Sequence, residues 1–142
     1  MASVTTGSCA CDAIQFQYTG EPQLTGICHC TICRKWTGSA FTTNAIIPKE
    51  ALEITKGTPK SWKKQGHSGN YVFRYFCSDC GSPLWGDVEI FPGALFVKAG
   101  VLDGEAAHLN GKIDQIWWHD SKLRFIPEIE AGSVLATQDA VV

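Results

Sequence analysis

The sequence predicts a single, mostly β domain with little helix. Short runs of apolar and β-branched residues recur between glycine, proline and polar turns, which is the pattern of an all-β chain. No stretch shows the period of a long amphipathic helix. The chain has 142 residues, of which 44% are hydrophobic and 18% charged, which fits one soluble domain large enough to bury a core.

The first half of the chain predicts three strands and one helical turn. Residues 13–18 alternate, with Ile14, Phe16 and Tyr18 on one face. After the turn Gly20-Glu-Pro-Gln, residues 24–28 read as the next strand. Residues 34–38 predict a single helical turn that glycine stops. Residues 39–47 are rich in Thr, Phe and Ile and predict a strand that Pro48 ends.

The second half predicts five more strands. Residues 52–56 and 61–65 flank the turn Gly57-Thr-Pro59, and residues 71–76 form the strongest strand pattern of the chain. Strands are also predicted over residues 94–99, closed by Gly100, and over residues 112–119. We expect residues 1–130 to form one domain and residues 131–142 a loose C-terminal tail, because chain ends are usually poorly ordered.

Seven cysteines fall into three tight clusters. Cys28, Cys30 and Cys33 form a C-x-C-x-x-C run, and a turn between its two halves lets all three thiols converge. Zinc prefers thiolate ligands, and catalytic zinc sites have three protein ligands and one open position. Three cysteines without an obvious fourth ligand therefore favour an enzyme.

The other four cysteines form two pairs that are far apart in sequence. Cys9 and Cys11 form a C-x-C pair, and Cys77 and Cys80 form a C-x-x-C-G turn whose glycine suits a left-handed backbone. Four cysteines in two pairs are typical of a structural zinc site. Spacing alone does not fix which cysteines share a metal.

Other interpretations of the cysteines are weaker. The absence of a basic, apolar leader and of any long apolar stretch makes the cytoplasm the expected location. Disulfides are rare there, and an odd number of cysteines argues against a disulfide framework. An iron–sulfur cluster is an alternative for four cysteines, but the open group of three would need a separate explanation. Scattered buried thiols would not produce three clusters.

The charge argues against nucleic acid as a partner. The formal net charge is −2. Seven thiolates would add seven negative charges and two zinc ions four positive ones, giving −5. No cluster of lysine and arginine offsets this charge.

Taken together, the clusters resemble the glutathione-dependent formaldehyde-activating enzyme (Gfa/CENP-V) family. The resemblance covers residues 7 to 122 in order. The matching stretches are Gly7-Ser-Cys-Ala-Cys11, Cys28-His-Cys-Thr-Ile-Cys-Arg-Lys35, Gly38-Ser-Ala-Phe41 and Phe76-Cys-Ser-Asp-Cys-Gly-Ser82.

The resemblance implies a zinc-stapled β fold, often described as a β-tent, and two zinc ions per chain. It implies that a structural zinc is bound by Cys9, Cys11, Cys77 and Cys80, and that a catalytic zinc is bound by Cys28, Cys30 and Cys33. It implies a carbon–sulfur lyase that joins glutathione to formaldehyde to give S-hydroxymethylglutathione.

The residues can support this chemistry in two ways. An open position on zinc could hold a substrate thiol as its thiolate, or it could polarise a carbonyl oxygen. Arg34 and Lys35 directly follow the third cysteine and are candidate contacts for the carboxylates of glutathione, although both could also be surface charges.

Histidines and tryptophans offer further candidates. His29 is expected in the core or behind the ligands rather than on the metal. A general base could come from His67, His108 or His119. The five tryptophans are expected mainly in the core, with one of Trp117 and Trp118 free to line a pocket.

Two other functions remain open. The same zinc could serve a lyase, isomerase or hydrolase that acts on another metabolite. Alternatively, both zinc ions could only hold the fold of a non-catalytic module. Small thiol and carbonyl substrates are the expected partners of the first hypothesis.

Overall fold

The computed structural model describes residues 2–66 and 68–137, and within them the chain is mostly β, as predicted. Eleven strands and one short α-helix, α1 (Thr31–Thr37), are connected by turns and short 3-10 helices. The strands are β1 (Val4–Ser8), β2 (Gln15–Thr19), β3 (Leu24–Cys28), β4 (Thr42–Pro48), β5 (Leu52–Lys56), β6 (Lys60–Gln65), β7 (Tyr71–Phe76), β8 (Pro83–Val88), β9 (Ala94–Lys98), β10 (Gln115–Trp117) and β11 (Ser133–Val134).

The strands form two sheets. The smaller has the order β1-β2-β5, and the larger has the order β11-β10-β3-β4-β9-β8-β7-β6. Most pairs are antiparallel, as expected, but β10 runs parallel to both β3 and β11. The C-terminal segment thereby joins the larger sheet.

The C-terminal segment differs from the expected loose tail of residues 131–142. Ser133 pairs with Gln115, and the backbone N–H of Leu135 donates to the carbonyl oxygen of Ile116 over 2.9 Å. Residues 133–135 are therefore attached to the sheet. Residues 138–142 lie outside the part of the chain that the structure describes.

The strand predicted over residues 112–119 is shorter than expected. It covers only Gln115–Trp117, because Trp118 has a left-handed backbone with φ of +58°. Trp117 and Trp118 are therefore not consecutive residues of one strand. Trp117 is buried in the core, and Trp118 is half-buried beyond the end of the strand.

The buried side chains form two groups. The first lies between the two sheets and includes Phe16, Tyr18, Ile47, Leu84 and Trp85. The second surrounds Cys28, Cys30 and Cys33 and includes Val72, Val88, Phe96 and Trp117. The three-cysteine run is therefore embedded in apolar side chains rather than placed on an open loop. No helix within residues 2–66 and 68–137 has the length and hydropathy needed to cross a membrane.

Asp114 connects the start of β3 to the segment before β10. The backbone N–H of Thr25 donates to its carboxylate over 2.9 Å, and Lys112 Nζ lies 3.2 Å from the other oxygen. The hydrogen bond from the Thr25 backbone, helped by Lys112, lowers the pKa of Asp114. A carboxyl whose pKa is lowered by folding stabilises the protein above its ordinary pKa, and this stabilisation is lost as the pH falls through the folded value.

We therefore expect Asp114→Asn to be less stable than the wild type at pH 7 by about 1–2 kcal/mol, as a hydrogen bond to a charged group weakens. The difference should shrink as the pH falls below about 4. Urea unfolding of both proteins from pH 7 to below about pH 4 measures this difference in the free energy of unfolding. Protonation of the other carboxylates affects both proteins equally and cancels. Glu105→Gln, which changes an exposed carboxylate, is the control. A difference that does not depend on pH would contradict this role of Asp114.

Candidate metal centres and adjoining cavities

Cys9, Cys11, Cys77 and Cys80 converge into one group, called here the four-cysteine site. The turn between β1 and β2 supplies the first pair, and the turn between β7 and β8 supplies the second. The site therefore joins the smaller sheet to the larger one. Cys11 Sγ lies 3.7 Å from Cys9 Sγ and 3.8 Å from Cys77 Sγ.

Backbone hydrogen bonds fix the two turns of the four-cysteine site. The N–H of Ile14 donates to Cys9 Sγ over 3.2 Å, and the N–H of Gly81 donates to the carbonyl oxygen of Cys77 over 2.8 Å. Gly81 has φ of +79°, the left-handed backbone predicted for the glycine after Cys80. The Ser82 hydroxyl accepts from the N–H of Ala10 over 3.0 Å and so ties the turns together.

The surroundings of Cys80 favour its thiolate form. Its Sγ lies 3.1 Å from the Ser82 hydroxyl. Hydrogen bonds from the side chain and the backbone of Ser82 lower the pKa of Cys80 to about 6. Because metals bind thiolates, this favours metal binding at neutral pH.

Cys28, Cys30 and Cys33 form the second group, the three-cysteine site. Cys28 is the last residue of β3, Cys30 precedes α1 as its N-cap, and Cys33 lies in the first turn of α1. Cys30 Sγ accepts from the backbone N–H of Cys33 over 3.2 Å, and Cys33 Sγ lies 3.6 Å from Cys28 Sγ. All three residues are at most 7% exposed.

The three thiols shift one another's pKa values. Hydrogen bonds with Cys28 and Cys30 hold the pKa of Cys33 well below its usual range against the effect of burial, and Lys98 and Arg74 lower it further. The same network raises the pKa of Cys28. The hydrogen bond with Cys28 lowers the pKa of Cys30, but Cys33 and burial outweigh it and raise the pKa to about 11. The network thus favours charge on Cys33 over charge on Cys28 and Cys30, and a bound cation would favour ionisation of all three.

Both sites fit a single metal ion. In a tetrahedron with zinc–sulfur bonds of about 2.3 Å the sulfurs are about 3.8 Å apart, close to the 3.6–3.8 Å observed. An iron–sulfur cluster places several irons between its cysteines and needs wider spacing. Among the described residues, no fourth Cys, His, Asp or Glu joins the three-cysteine site. The two groups could therefore each bind a metal ion, one with four protein ligands and one with three.

Two cations that the sequence analysis did not single out lie beside the three-cysteine site. Arg74, in the middle of β7, is only 4% exposed, and burial lowers its pKa. Lys98, at the end of β9, donates from Nζ to Asn44 Oδ1 over 2.5 Å, and burial lowers its pKa too. Both pKa values are raised in turn by negative charge on the cysteines. Three thiolates and a divalent ion leave one negative charge, which these two cations exceed by one.

Aromatic rings hold these cations in place. The guanidinium carbon of Arg74 lies 5.1 Å from the ring centre of Trp62 and 5.7 Å from that of Trp36. Lys98 Nζ lies 5.3 Å from the ring centre of Trp36. Cation–π contacts of this length are favourable, and more so when the cation is desolvated.

Two cavities touch different cysteines of the three-cysteine site. The inner cavity has a volume of 30 Å³ and touches Cys28 and Cys33. The outer cavity has a volume of 480 Å³ and touches Cys30. Arg74 lines both. The outer cavity is lined by Cys30, Thr31, Ile32, Lys64, Gln65, Gly66, Arg74, Trp118 and Ser121.

Arg34 and Lys35, the predicted contacts for glutathione, line neither of these cavities. Arg34 Nη2 lies 3.5 Å from the Thr31 hydroxyl, and Lys35 is exposed. Both belong to the last turn of α1, where positive charge is favourable next to the helix C-terminus. The structure brings Lys64 and Arg74 to the outer cavity instead.

Of the described histidines, His29, His108 and His119, none lines either cavity. His29 is buried against Phe41 and His119, and burial lowers its pKa. Its Nδ1 has no hydrogen-bond partner among the described residues. His119 Nε2 lies 2.7 Å from Glu128, and His108 is exposed. His67 lies outside the described residues.

The tryptophans divide between the core and the cavities. Trp85 and Trp117 are buried, as expected. Trp36 lines the inner cavity and Trp118 the outer one, and Trp62 is 37% exposed while covering Arg74.

Comparisons with known proteins agree on one family. Residues 4–120 match the sequence model of the glutathione-dependent formaldehyde-activating enzyme family. The chain is 28% identical over 99 residues to an Emericella nidulans protein provisionally named as such an enzyme, covering 68% of this chain and 49% of that protein. It is 29% identical over 98 residues to a Penicillium rubens protein with the same provisional name, covering 67% of this chain and 50% of that protein. The chain thus spans about half the length of these relatives.

A solved structure has the same fold. The crystal structure of a Rhodobacter sphaeroides protein, a structural genomics target, superposes with a TM-score of 0.58 at 20% identity, covering 79% of this chain and 98% of that one. At this identity the likeness shows the fold alone.

Proposed function

The chain belongs to the glutathione-dependent formaldehyde-activating enzyme family, and from this premise we propose that it is a zinc-dependent carbon–sulfur lyase that joins glutathione to formaldehyde. The observation that carries the proposal is the three-cysteine site itself. Its three buried thiols lie at single-metal spacing between two cavities, beside two cations. A purely structural site would be expected to close with a fourth protein ligand.

Zinc is the metal that the donor sets favour at both sites, because all seven donors are thiolates at tetrahedral spacing. At the three-cysteine site it would supply an open coordination position where a thiol is held as thiolate or a carbonyl oxygen is polarised. Reduced cysteines at both sites agree with a cytoplasmic location.

The outer cavity fits the peptide part of glutathione. Its volume of 480 Å³ lies in the range of small-molecule pockets, about 300–1,000 Å³. Lys64 and Arg74 can pair with carboxylates, and Ile32 and Trp118 supply apolar contacts. Cys30 lines the same cavity, so a ligand there has its thiol within reach of the three-cysteine site.

The reaction needs little beyond positioning and charge. The thiolate sulfur forms a bond to the carbonyl carbon, the π electron pair moves to oxygen, and the resulting alkoxide takes a proton from solvent to give S-hydroxymethylglutathione. The ammonium of Lys98 and the guanidinium of Arg74 stabilise the charge that develops on oxygen, since both are held rigidly in an apolar surrounding.

Glutathione binding tests the substrate. The visible spectrum of the cobalt-substituted protein should change on adding glutathione, and S-methylglutathione, which has no free thiol, should leave it unchanged. We expect Lys64→Ala to weaken binding by about fivefold, the effect of about 1 kcal/mol from an exposed ion pair.

Two variants serve as controls for this titration. Lys60→Ala removes a charge from the same exposed strand but outside the outer cavity, and Arg34→Ala removes the charge next to Cys33. Both should bind glutathione as the wild type does. A spectrum that does not respond to glutathione would refute binding of the glutathione thiol to the metal. If Arg34→Ala weakens glutathione binding and Lys64→Ala does not, the carboxylate of glutathione contacts Arg34 at the end of α1 and not Lys64.

A further inference from the structure

The inner cavity has the size of a very small molecule. A site needs about 10–15 Å³ by this measure to hold one water, and the inner cavity offers 30 Å³. It therefore holds two heavy atoms rather than a substituted aldehyde. Apolar side chains make up much of its lining, namely Trp36, Val72, Val88, Phe96 and Trp117.

The polar groups of the inner cavity are arranged for an oxygen acceptor. Asn44 is fixed by hydrogen bonds from its Nδ2 to the Gly26 carbonyl and to the Thr42 hydroxyl, at 3.4 and 3.2 Å. Its Oδ1 accepts one of the three N–H groups of Lys98. The other N–H groups of Lys98 remain as donors, and Arg74 also only donates. A molecule between them must therefore accept hydrogen bonds.

The inner cavity also lies at the reacting atoms. Cys28 and Cys33 form one wall, whereas Cys30 faces the outer cavity. The two cavities thus touch different cysteines of the same site and share Arg74 in their linings. A large ligand in one and a small ligand in the other would meet at the three-cysteine site.

We infer that the inner cavity is a size-selective site for a one-carbon oxygen compound, whose oxygen is held by Lys98 and Arg74. In the proposed function, on which this assignment of the ligand rests, the compound is formaldehyde. Exclusion of larger aldehydes then follows from the walls of the inner cavity and not from the reactivity of the carbonyl.

Gly86 provides a way to fill the inner cavity without disturbing the fold. It lines the inner cavity, and a Cβ added to it would lie 3.9 Å from Val72 Cγ1 and 4.0 Å from Phe96 Cβ, which is ordinary contact. Gly86→Ala should therefore fold and bind metal while occupying part of the inner cavity. Gly100→Ala is the matched control, because a Cβ at Gly100 meets no atom within 4 Å and Gly100 does not line the inner cavity.

Methanol is an unreactive probe of the same size as formaldehyde. In the zinc-loaded protein, the methyl signals of Val72 and Val88 should shift on titration with methanol and not with tert-butanol. The methanol-dependent shift should fall at least about threefold in Gly86→Ala, because a methyl group removes roughly the space of one water. It should be unchanged in Gly100→Ala. In Gly86→Ala the rate with formaldehyde should fall more than the rate with acetaldehyde, because only formaldehyde uses the inner cavity of the wild type. The ratio of the two rates should therefore fall.

The possible results separate this inference from the proposed function. If neither methyl signal responds to methanol, or if Gly86→Ala responds as the wild type does, the assignment of the inner cavity is overturned. If the methanol results are as expected but glutathione and formaldehyde are not joined faster, the proposed function fails. The inner cavity would then serve another one-carbon oxygen compound.

Discussion

Cys80→Ser is expected to destabilise the whole protein by several kcal/mol, a large part of the roughly 5–15 kcal/mol by which domains are stable. The four-cysteine site joins the β1–β2 turn of the smaller sheet to the β7–β8 turn of the larger one. Metal bound there contributes directly to folding, because no preformed site exists in the unfolded chain. At about 4 °C per kcal/mol, the melting temperature should fall by more than about 12 °C.

Cys80 is a suitable choice among the four cysteines because it is exposed, as is Cys11. Its replacement leaves the core intact, whereas replacing Cys9 or Cys77 would also change a buried side chain. Ser78→Ala, in the same turn, is the control. A Cys80→Ser protein that melts like the wild type and retains two metals per chain would contradict the structural role of this site.

Cys30→Ser is expected to abolish activity while leaving the fold intact. Cys30 is the N-cap of α1, and its Sγ accepts from the N–H of Cys33. Serine is a preferred N-cap, so its hydroxyl can accept the same hydrogen bond and the helix should persist. The three-cysteine site would keep only two thiols, so the metal content should fall towards one per chain and the rate towards the uncatalysed value.

The comparison of Cys30→Ser with Cys80→Ser separates the roles of the two sites. Metal analysis and thermal melting of both variants give the result directly. If Cys30→Ser unfolds as strongly as Cys80→Ser, both sites hold the fold and the non-catalytic interpretation gains support.

Local patterns in the sequence were sufficient for strands whose apolar residues alternate or are β-branched. The bounds of β3, β5 and β7 agree with the predicted ranges. β8 was not predicted, because it begins at Pro83 and contains Gly86, two residues that weaken a strand pattern. β11 has two residues and depends on its pairing with β10, so no local signal predicts it.

The grouping of the cysteines followed from spacing and from the family resemblance, but the cations beside them did not. Arg34 and Lys35 are the basic residues that adjoin Cys33 in sequence, whereas the fold brings Arg74 and Lys98 to the site from β7 and β9. One signal was present: Arg74 shares the inward face of a strongly apolar strand with Val72. A buried arginine needs an anionic or aromatic partner, which in this fold is the three-cysteine site with Trp36 and Trp62. Lys98 ends an apolar strand and looks like a surface residue until the sheet is assembled.

The most direct test of the central claim, that the three-cysteine site catalyses addition of glutathione to formaldehyde, is exchange spectroscopy on an equilibrium mixture of glutathione, formaldehyde and S-hydroxymethylglutathione. With zinc-loaded wild-type protein, the exchange rate should rise in proportion to protein concentration, and with Cys30→Ser it should stay at the uncatalysed rate. An exchange rate that the fully metal-loaded wild type leaves unchanged would contradict the claim.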